Sequence, residues 1–282
     1  MYIKILVIIS MSLLFFGCSP KKLFPTDNTE YDSIKNYNYE YTEHKFNSKD
    51  GTSLYGMHIK TKQQSEGLIV VANGMHHNMS FRFTEWLWIV NSGYNLFIFD
   101  YRGYGKSKDI ADMFGFREDV NAGLEYAHML EEDKDIVLIG QSMGGSFAID
   151  ALAEKNYSYV SLVVSDSTFT GFDSILSSYM MKSIILFPFS WLPYTFTPKE
   201  LNSIENIKDV KVPVLFISGD DDWIVSCEYS KELYKKANKD KSIWLVEDTG
   251  HVQSFNNKSV RQAFLKLLEN SKLLTKNKER FF

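Results

Sequence analysis

This chain of 282 residues has little cysteine, no block of like charge and no internal repeat. Only Cys227 lies beyond the first 18 residues, so the folded part of the chain has no second cysteine for an internal disulfide. The 31 basic and 35 acidic residues give a formal net charge of -4, and no basic run is interleaved with aromatic residues. Nucleic acid is therefore not expected as a partner.

Clusters of metal ligands are also missing. His76 and His77 are adjacent, but neighbouring side chains rarely converge on one ion, and no pattern of carboxylates accompanies them. We expect no metal and no other cofactor. With 44% hydrophobic and 15% aromatic residues, the chain can bury one large core in a single domain, and the sequence leaves its oligomeric state open.

The N-terminus carries an apolar run. Residues 1–17 contain one lysine and end at Gly17, directly before Cys18, which suits the apolar region of an export signal. The Gly-Cys ending resembles the lipobox of bacterial lipoproteins, which implies that Cys18 carries lipid and that a tether over residues 18–38 joins the membrane to the domain. The expected location is the bacterial cell envelope. The alternatives are a cleaved signal with a periplasmic or secreted product, and an uncleaved anchor.

Short apolar runs alternate with amphipathic stretches along most of the chain. Two alternating segments, 39–47 and 53–61, predict a hairpin. Buried strands are predicted at residues 67–73, 94–100, 135–139, 159–166, 212–220 and 242–246. Helices are predicted from Ser80, over 116–131, after residue 146 to about Glu154, over Ser226 to Ala237 and from about Phe255 to Leu274. This alternation predicts a parallel sheet with right-handed crossovers.

The alternation is interrupted over residues 168–210. This segment contains a helical stretch, residues 172–186, and the aromatic loop FPFSWLPYTFTP. Such an insertion is either a satellite of the core or a lid over an apolar pocket, and its position in the chain favours the lid.

The segment GQSMGG, residues 140–145, joins a predicted strand to a predicted helix. Gly140 and Gly144 allow a tight turn that presents the hydroxyl of Ser142 above the sheet. The N–H of Met143 lies at the start of the helix, where it is free to donate to a developing oxyanion. This pattern predicts a nucleophilic serine.

A nucleophilic serine needs a base and a group that orients the base. His251 follows a strand at the edge of the sheet where ligands bind, so it is the candidate base. His76 and His77 are expected to flank the pocket, and His128 falls inside a helix. GDDDWIV, residues 219–225, offers three aspartates as the orienting acid, with Asp166 as the competitor.

The order of serine, aspartate and histidine, together with GxSxG and GxxDxxV, resembles the α/β-hydrolase superfamily over about residues 40–274. FDYRGYGKS, residues 99–107, is similar to a segment of its BEM46-like and serine-aminopeptidase-like members. The resemblance implies a mostly parallel eight-stranded sheet flanked by helices, a domain over 39–274 with a lid at about 168–210, and a tail over 275–282. It also selects Asp222 as the acid, and leaves Asp166 as the alternative.

The same resemblance implies an oxyanion hole formed by the N–H groups of Met143 and Met75. Relatives have His-Gly where this chain has Asn73-Gly74, and an amide can brace the loop as an imidazole does. Asp100, Tyr101 and Arg102 are expected to fix loop structure.

Three functions are consistent with these residues. The first is a serine hydrolase that cleaves a carboxylic ester or thioester of a small acyl substrate through Ser142, Asp222 and His251. The second is a serine aminopeptidase or amidase that acts on small peptides. The third is a binding protein of the envelope that keeps the fold without the reaction, against which the complete set of three residues argues.

Overall fold

The computed structural model describes residues 24–238, 240–269 and 279–282. Within them, nine strands form one sheet. The strands are β1 (Glu40–Asn47), β2 (Ser53–Lys60), β3 (Leu68–Ala72), β4 (Asn95–Asp100), β5 (Ile136–Gln141), β6 (Val160–Asp166), β7 (Val214–Gly219), β8 (Lys241–Val246) and β9 (Glu279–Phe281). The α-helices are α1 (Met79–Asn91), α2 (Met113–Leu130), α3 (Met143–Glu154), α4 (Phe172–Met181), α5 (Pro193–Phe196), α6 (Ser203–Asn206), α7 (Cys227–Lys236) and α8 (Lys258–Glu269).

The strands are ordered β1-β2-β4-β3-β5-β6-β7-β8-β9 across the sheet. β1 and β2 form the expected antiparallel hairpin, and β2 pairs antiparallel with β4. All later neighbours are parallel. The mostly parallel sheet flanked by helices is confirmed. It has nine described strands instead of eight, because Glu279–Phe281 pairs with β8 where a tail was expected.

The parallel strands are apolar on both faces because each face is covered. Val70 packs into one cluster with α2 and α3, whereas its neighbour Val71 packs into a second cluster with α1 and α8. This two-sided burial accounts for the continuous apolar runs in the sequence. The carboxyl ends of β3, β5, β6, β7 and β8 therefore share one edge, where the loops that carry the site residues meet.

Residues 24–38 are packed on the domain, so the expectation of a tether fails from Phe24 onward. The ring of Phe24 is buried between those of Phe116 and Phe172, with centroids 5.0 and 6.4 Å away. The N–H of Gly105 donates to the carbonyl of Asp27 at 2.9 Å. Ring contacts and backbone hydrogen bonds thus fix a segment whose polar composition is typical of a linker. Cys18, the signal over 1–17 and the first part of the tether lie outside the described residues.

Several element bounds differ from those expected. Asn78, and not Ser80, caps α1, because its side-chain oxygen accepts from the N–H of Ser80 at 2.9 Å. α4 ends at Met181, and the prolines that follow it fall in short helical turns. α8 begins at Lys258, after a 3-10 turn over Ser254–Asn256. None of the helices in the described part of the chain is long and apolar enough to cross a bilayer.

Candidate active site

The turn between β5 and α3 holds Ser142 in a conformation that side chains rarely adopt. Its φ is 52° and its ψ is -117°, so the backbone is strained at this residue. A Cβ at position 144 would lie 2.1 Å from the carbonyl oxygen of Ala72, and one at position 140 would lie 2.5 Å from the Cα of Gly145. Only glycine fits at both positions, which explains the spacing of the motif.

His251 lies beside the serine. Its Nε2 is 2.9 Å from Ser142 Oγ, although the two residues are 109 positions apart in the chain. The loop after β8 that carries it is sharply bent, since Asp248 and Val252 on either side have φ values of 50°. The loop is held to the end of β7, where a Cβ on Gly219 would lie 1.9 Å from the carbonyl oxygen of Thr249.

Asp222 contacts the other side of the imidazole. Its Oδ2 lies 2.7 Å from His251 Nδ1, and the carboxylate is buried. Its Oδ1 accepts hydrogen bonds from the N–H groups of Ile224 and Val225 at 2.9 and 2.8 Å. The local turn GxxDxxV therefore fixes one carboxylate oxygen and aims the other at the histidine. Ser142, His251 and Asp222 form one hydrogen-bonded row.

Asp166, the alternative acid, makes other contacts. Its side chain accepts from Gln141 Nε2 and Ser254 Oγ, each at 3.2 Å. Burial raises the pKa of this carboxyl to about 6, against the opposing effect of the hydrogen bond from Gln141. The geometry therefore pairs His251 with Asp222, while Asp166 supports the loop that carries His251.

The expected oxyanion donors belong to two segments that meet at the serine turn. Met143 begins α3, so its N–H has no acceptor within the helix. The loop that carries Met75 passes against the serine turn, since a Cβ on Gly74 would lie 3.3 Å from the Cβ of Ser142. Asn73 is buried, but its Oδ1 accepts no hydrogen bond from the described residues. The bracing expected of this amide oxygen is therefore not observed there.

Asp100 braces this loop instead. The N–H of Met79 donates to its Oδ1 at 2.5 Å, and a Cβ on Gly105 would overlap the carboxylate. Complete burial raises the pKa of Asp100 to about 7, and the hydrogen bond from Met79 works in the opposite direction. As expected, this residue joins two loops and lies among structural contacts.

Arg102 joins the FDYRGYGKS loop to α2. It donates to Asp119 through Nε and Nη2, and its Nη1 donates to Asp50 at 2.7 Å. Both Arg102 and Asp119 are buried. Burial acts to lower the pKa of the guanidinium, but the hydrogen bonds and charges of Asp119 and Asp50 together outweigh burial and raise it. Arg102 is a structural residue, as the sequence predicts.

The two adjacent histidines point to different partners. His77 stacks on Phe81, with centroids 4.2 Å apart, and its Nδ1 is 3.5 Å from Asp27. His76 has a φ of 85° and is exposed as a whole residue, but its imidazole is partly shielded. This partial burial lowers its pKa first, followed by repulsion from His77, Arg82 and His251. His76 therefore flanks the site near the base.

No group of three or more potential metal ligands occurs within residues 24–238, 240–269 and 279–282. His128 stacks on Tyr159 and lies in α2, away from the serine.

Two serines that support the histidine loop were missed in the sequence. Ser167 Oγ accepts from the N–H of Val252 at 3.2 Å, and Ser254 donates to Asp166. Ser167 has a φ of 53°. Its position directly after the buried strand β6, at the ligand-binding edge, is the signal that could have identified it.

The insertion approaches the site at the Asp222 loop. The side chain of Trp223, next to the acid, is 75% exposed, and its carbonyl accepts from Lys182 Nζ at 2.9 Å. The pKa of Tyr179 is raised, first by burial and then by the charge of Asp222. The end of α4 therefore borders the loop that carries Asp222, and the lid stays a prediction.

Comparison with known proteins identifies the family. Residues 63–199 match the family described as "Serine aminopeptidase, S33". The protein bem46 of Schizosaccharomyces pombe is 30% identical over 210 residues, which cover 72% of this chain and 68% of bem46. The chain belongs to the BEM46-like, serine-aminopeptidase-like group of α/β hydrolases. The uncharacterized protein YfhR of Escherichia coli (strain K12) is 26% identical over 254 residues, covering 88% of this chain and 83% of YfhR.

Solved structures agree with the hydrolase fold. An esterase from Pyrococcus furiosus superposes with a TM-score of 0.68 at 22% identity, covering 89% of this chain and 97% of the esterase. The acylaminoacyl peptidase of Pyrococcus horikoshii gives a TM-score of 0.64 at 21% identity, covering 83% of this hydrolase and 42% of the peptidase. At these identities the likeness concerns the fold, which carries both esterases and peptidases.

Proposed function

We propose that this hydrolase cleaves carboxylic esters or thioesters through an acyl-enzyme on Ser142. The observation that carries the proposal is the continuous row in which Ser142 Oγ lies 2.9 Å from His251 Nε2 and His251 Nδ1 lies 2.7 Å from Asp222 Oδ2. A serine hydroxyl gains nucleophilicity when a base can accept its proton and a carboxylate orients that base.

In the proposed reaction, Ser142 Oγ bonds to the carbonyl carbon of the ester while its proton moves to His251 Nε2. The oxyanion is held by the N–H groups of Met143 and Met75. The bond to the leaving alcohol or thiol then breaks, and this group takes the proton from His251. Water attacks the acyl-enzyme, gives its proton to His251 and releases the carboxylic acid, after which the serine regains its hydrogen.

A fluorophosphonate probe tests the proposal directly. The wild-type protein should be labelled, and Ser142→Ala should not. Ser161→Ala is the control, because Ser161 is an exposed serine near the amino end of β6, away from the site edge. A folded wild-type protein that stays unlabelled would exclude a reactive serine and favour the non-enzymatic binding protein.

The type of substrate is tested with one acyl group presented in two ways. The p-nitrophenyl ester should be hydrolysed faster than the corresponding p-nitroanilide, with Ser142→Ala as the blank. Faster release from aminoacyl p-nitroanilides would favour the aminopeptidase instead.

We also propose that lipid on Cys18 anchors the hydrolase to the membrane of a bacterial envelope. The support is the apolar run that ends in Gly17-Cys18. Radiolabelled palmitate should enter the wild-type protein and not Cys18→Ala. Equal incorporation into both would contradict lipidation at this cysteine.

A further inference from the structure

The insertion presents large apolar side chains to solvent. Ile184 is 95% exposed, Ile185 80% and Trp191 59%. We call the surface formed by Ile184, Ile185, Phe187, Trp191, Tyr194 and Trp223 the insertion face. Soluble proteins rarely leave so many large apolar side chains uncovered within one segment, and such a surface indicates a partner.

The chemistry of the insertion face matches the surface of a bilayer. Tryptophan and tyrosine are enriched at the level of lipid headgroups, and isoleucine and phenylalanine favour the acyl region below. Residues 184–196, which carry most of this face, contain no charged side chain, and the acidic residues of the insertion lie outside this segment. An uncharged stretch of this length suits contact with the acyl region.

The start of the described chain packs beside the first residue of the insertion helix α4. The ring of Phe24 packs on Phe172, the first residue of α4, and α4 leads to the insertion face over about 15 Å. Cys18 is six positions before Phe24, and a chain of this length spans at most ~20 Å. A membrane that holds the N-terminus is therefore within reach of the insertion face.

We propose that the insertion face docks on the surface of the bilayer to which the N-terminus is attached. Trp223 belongs to this face and follows Asp222 directly, so docking brings the border of the Ser142 site to the lipid surface. Docking of this face is a binding event that does not depend on hydrolysis.

Tryptophan quenching by brominated lipid tests the docking. The full-length protein is reconstituted in vesicles of phosphatidylcholine and phosphatidylglycerol, with acyl chains either plain or brominated near the headgroup. Bromine should reduce the emission of the wild-type protein, because Trp191 and Trp223 would touch the acyl chains. Trp191→Phe/Trp223→Phe should lose this quenching, since of the three remaining tryptophans Trp86 and Trp244 are buried and Trp88 is packed against the domain core.

Ile184→Asp/Ile185→Asp is the second variant. Both side chains are almost fully exposed, so the fold should persist, and hydrolysis of a soluble ester should be unchanged. Its quenching should fall, because aspartate is repelled by the lipid surface, even though the N-terminus keeps it on the vesicle. Equal wild-type emission in plain and brominated vesicles would overturn the proposal. If the wild-type emission is equal in both kinds of vesicle and the protein also forms dimers in detergent that Ile184→Asp/Ile185→Asp abolishes, the insertion face would instead bind a second copy of the chain.

Discussion

The backbone N–H of Ser142 donates to the main-chain oxygen of Asp166 at 2.8 Å. The Asp166 side chain points to Gln141 and Ser254, while His251 pairs with Asp222. Of the two carboxylates at this edge of the sheet, one therefore orients the proposed base, and the other supports the turn and loop around it. This division can be tested by neutralising each carboxylate in turn.

Asp222→Asn should lower kcat about ten-thousandfold, because the amide cannot hold the histidine in the required tautomer. Asp166→Asn should lower kcat by at most about a hundredfold, because it weakens the support of the loop that carries His251 but leaves the hydrogen bond between Asp222 and His251 in place. Steady-state hydrolysis of a p-nitrophenyl ester measures both. Equal losses in the two variants, or a larger loss in Asp166→Asn, would contradict the assignment of Asp222.

Gly144→Ala should inactivate the protein or reduce its stability. The added methyl would lie 2.1 Å from the carbonyl oxygen of Ala72, so the turn must move away from β3. Overpacking of this kind costs about 1–3 kcal/mol in unfolding free energy, measured by urea denaturation. Gly67→Ala is the control, because its nearest contact would be an ordinary 3.5 Å. Wild-type stability and turnover in Gly144→Ala would show that the turn tolerates a side chain.

The sequence predicts this site because its motifs encode local backbone geometry. GxSxG specifies a turn that only glycine permits, and GxxDxxV specifies the N–H groups that fix Asp222. The support from Ser167 and Ser254 was not predictable in the same way, since it joins β6 to a loop 85 or more residues later. The position of Ser167 after β6 marks it as a residue of the site edge, but no local pattern specifies its partner.

The N-terminal segment shows the same limit. Residues 24–38 have the polar composition of a linker, yet Phe24 is buried between two rings that lie far away in the sequence. The expected tether fails because a single aromatic residue and a few backbone hydrogen bonds fix the segment. β9 was also missed, because a strand of three residues carries almost no periodicity.

Arg102→Lys should destabilise the fold. Lysine keeps the charge but cannot make the two-pronged contact with buried Asp119, and it loses donors to Asp50 and Ser48. We expect a loss of about 3 kcal/mol in unfolding free energy, measured by chemical denaturation. Arg82→Lys is the control, since Arg82 pairs with the partly exposed Glu85 within one helix, where such pairs contribute at most about 0.5 kcal/mol. A similar small change in both variants would contradict a structural role for Arg102.

Asp150 joins α3 to the end of the insertion. Its Oδ1 accepts from Asn206 Nδ2 at 2.8 Å, and burial raises the pKa of this carboxyl to about 7, against the hydrogen bond from Asn206. The folded state therefore keeps a proton that the unfolded chain releases near pH 4. This contribution to stability is complete below pH 4 and is lost as the pH rises through 7.

Asp150→Asn should remove that contribution, so its Tm should fall less steeply than the wild-type Tm between pH 5 and pH 8. Asp100 and Asp166 titrate in the same direction and keep part of the slope in the variant. Differential scanning fluorimetry across this range measures the difference. Asp133→Asn is the control, because Asp133 is 81% exposed and should follow the wild-type curve. If Asp150→Asn also followed that curve, the proton on Asp150 would not couple to folding, and the pH dependence would have to come from the other buried carboxyls.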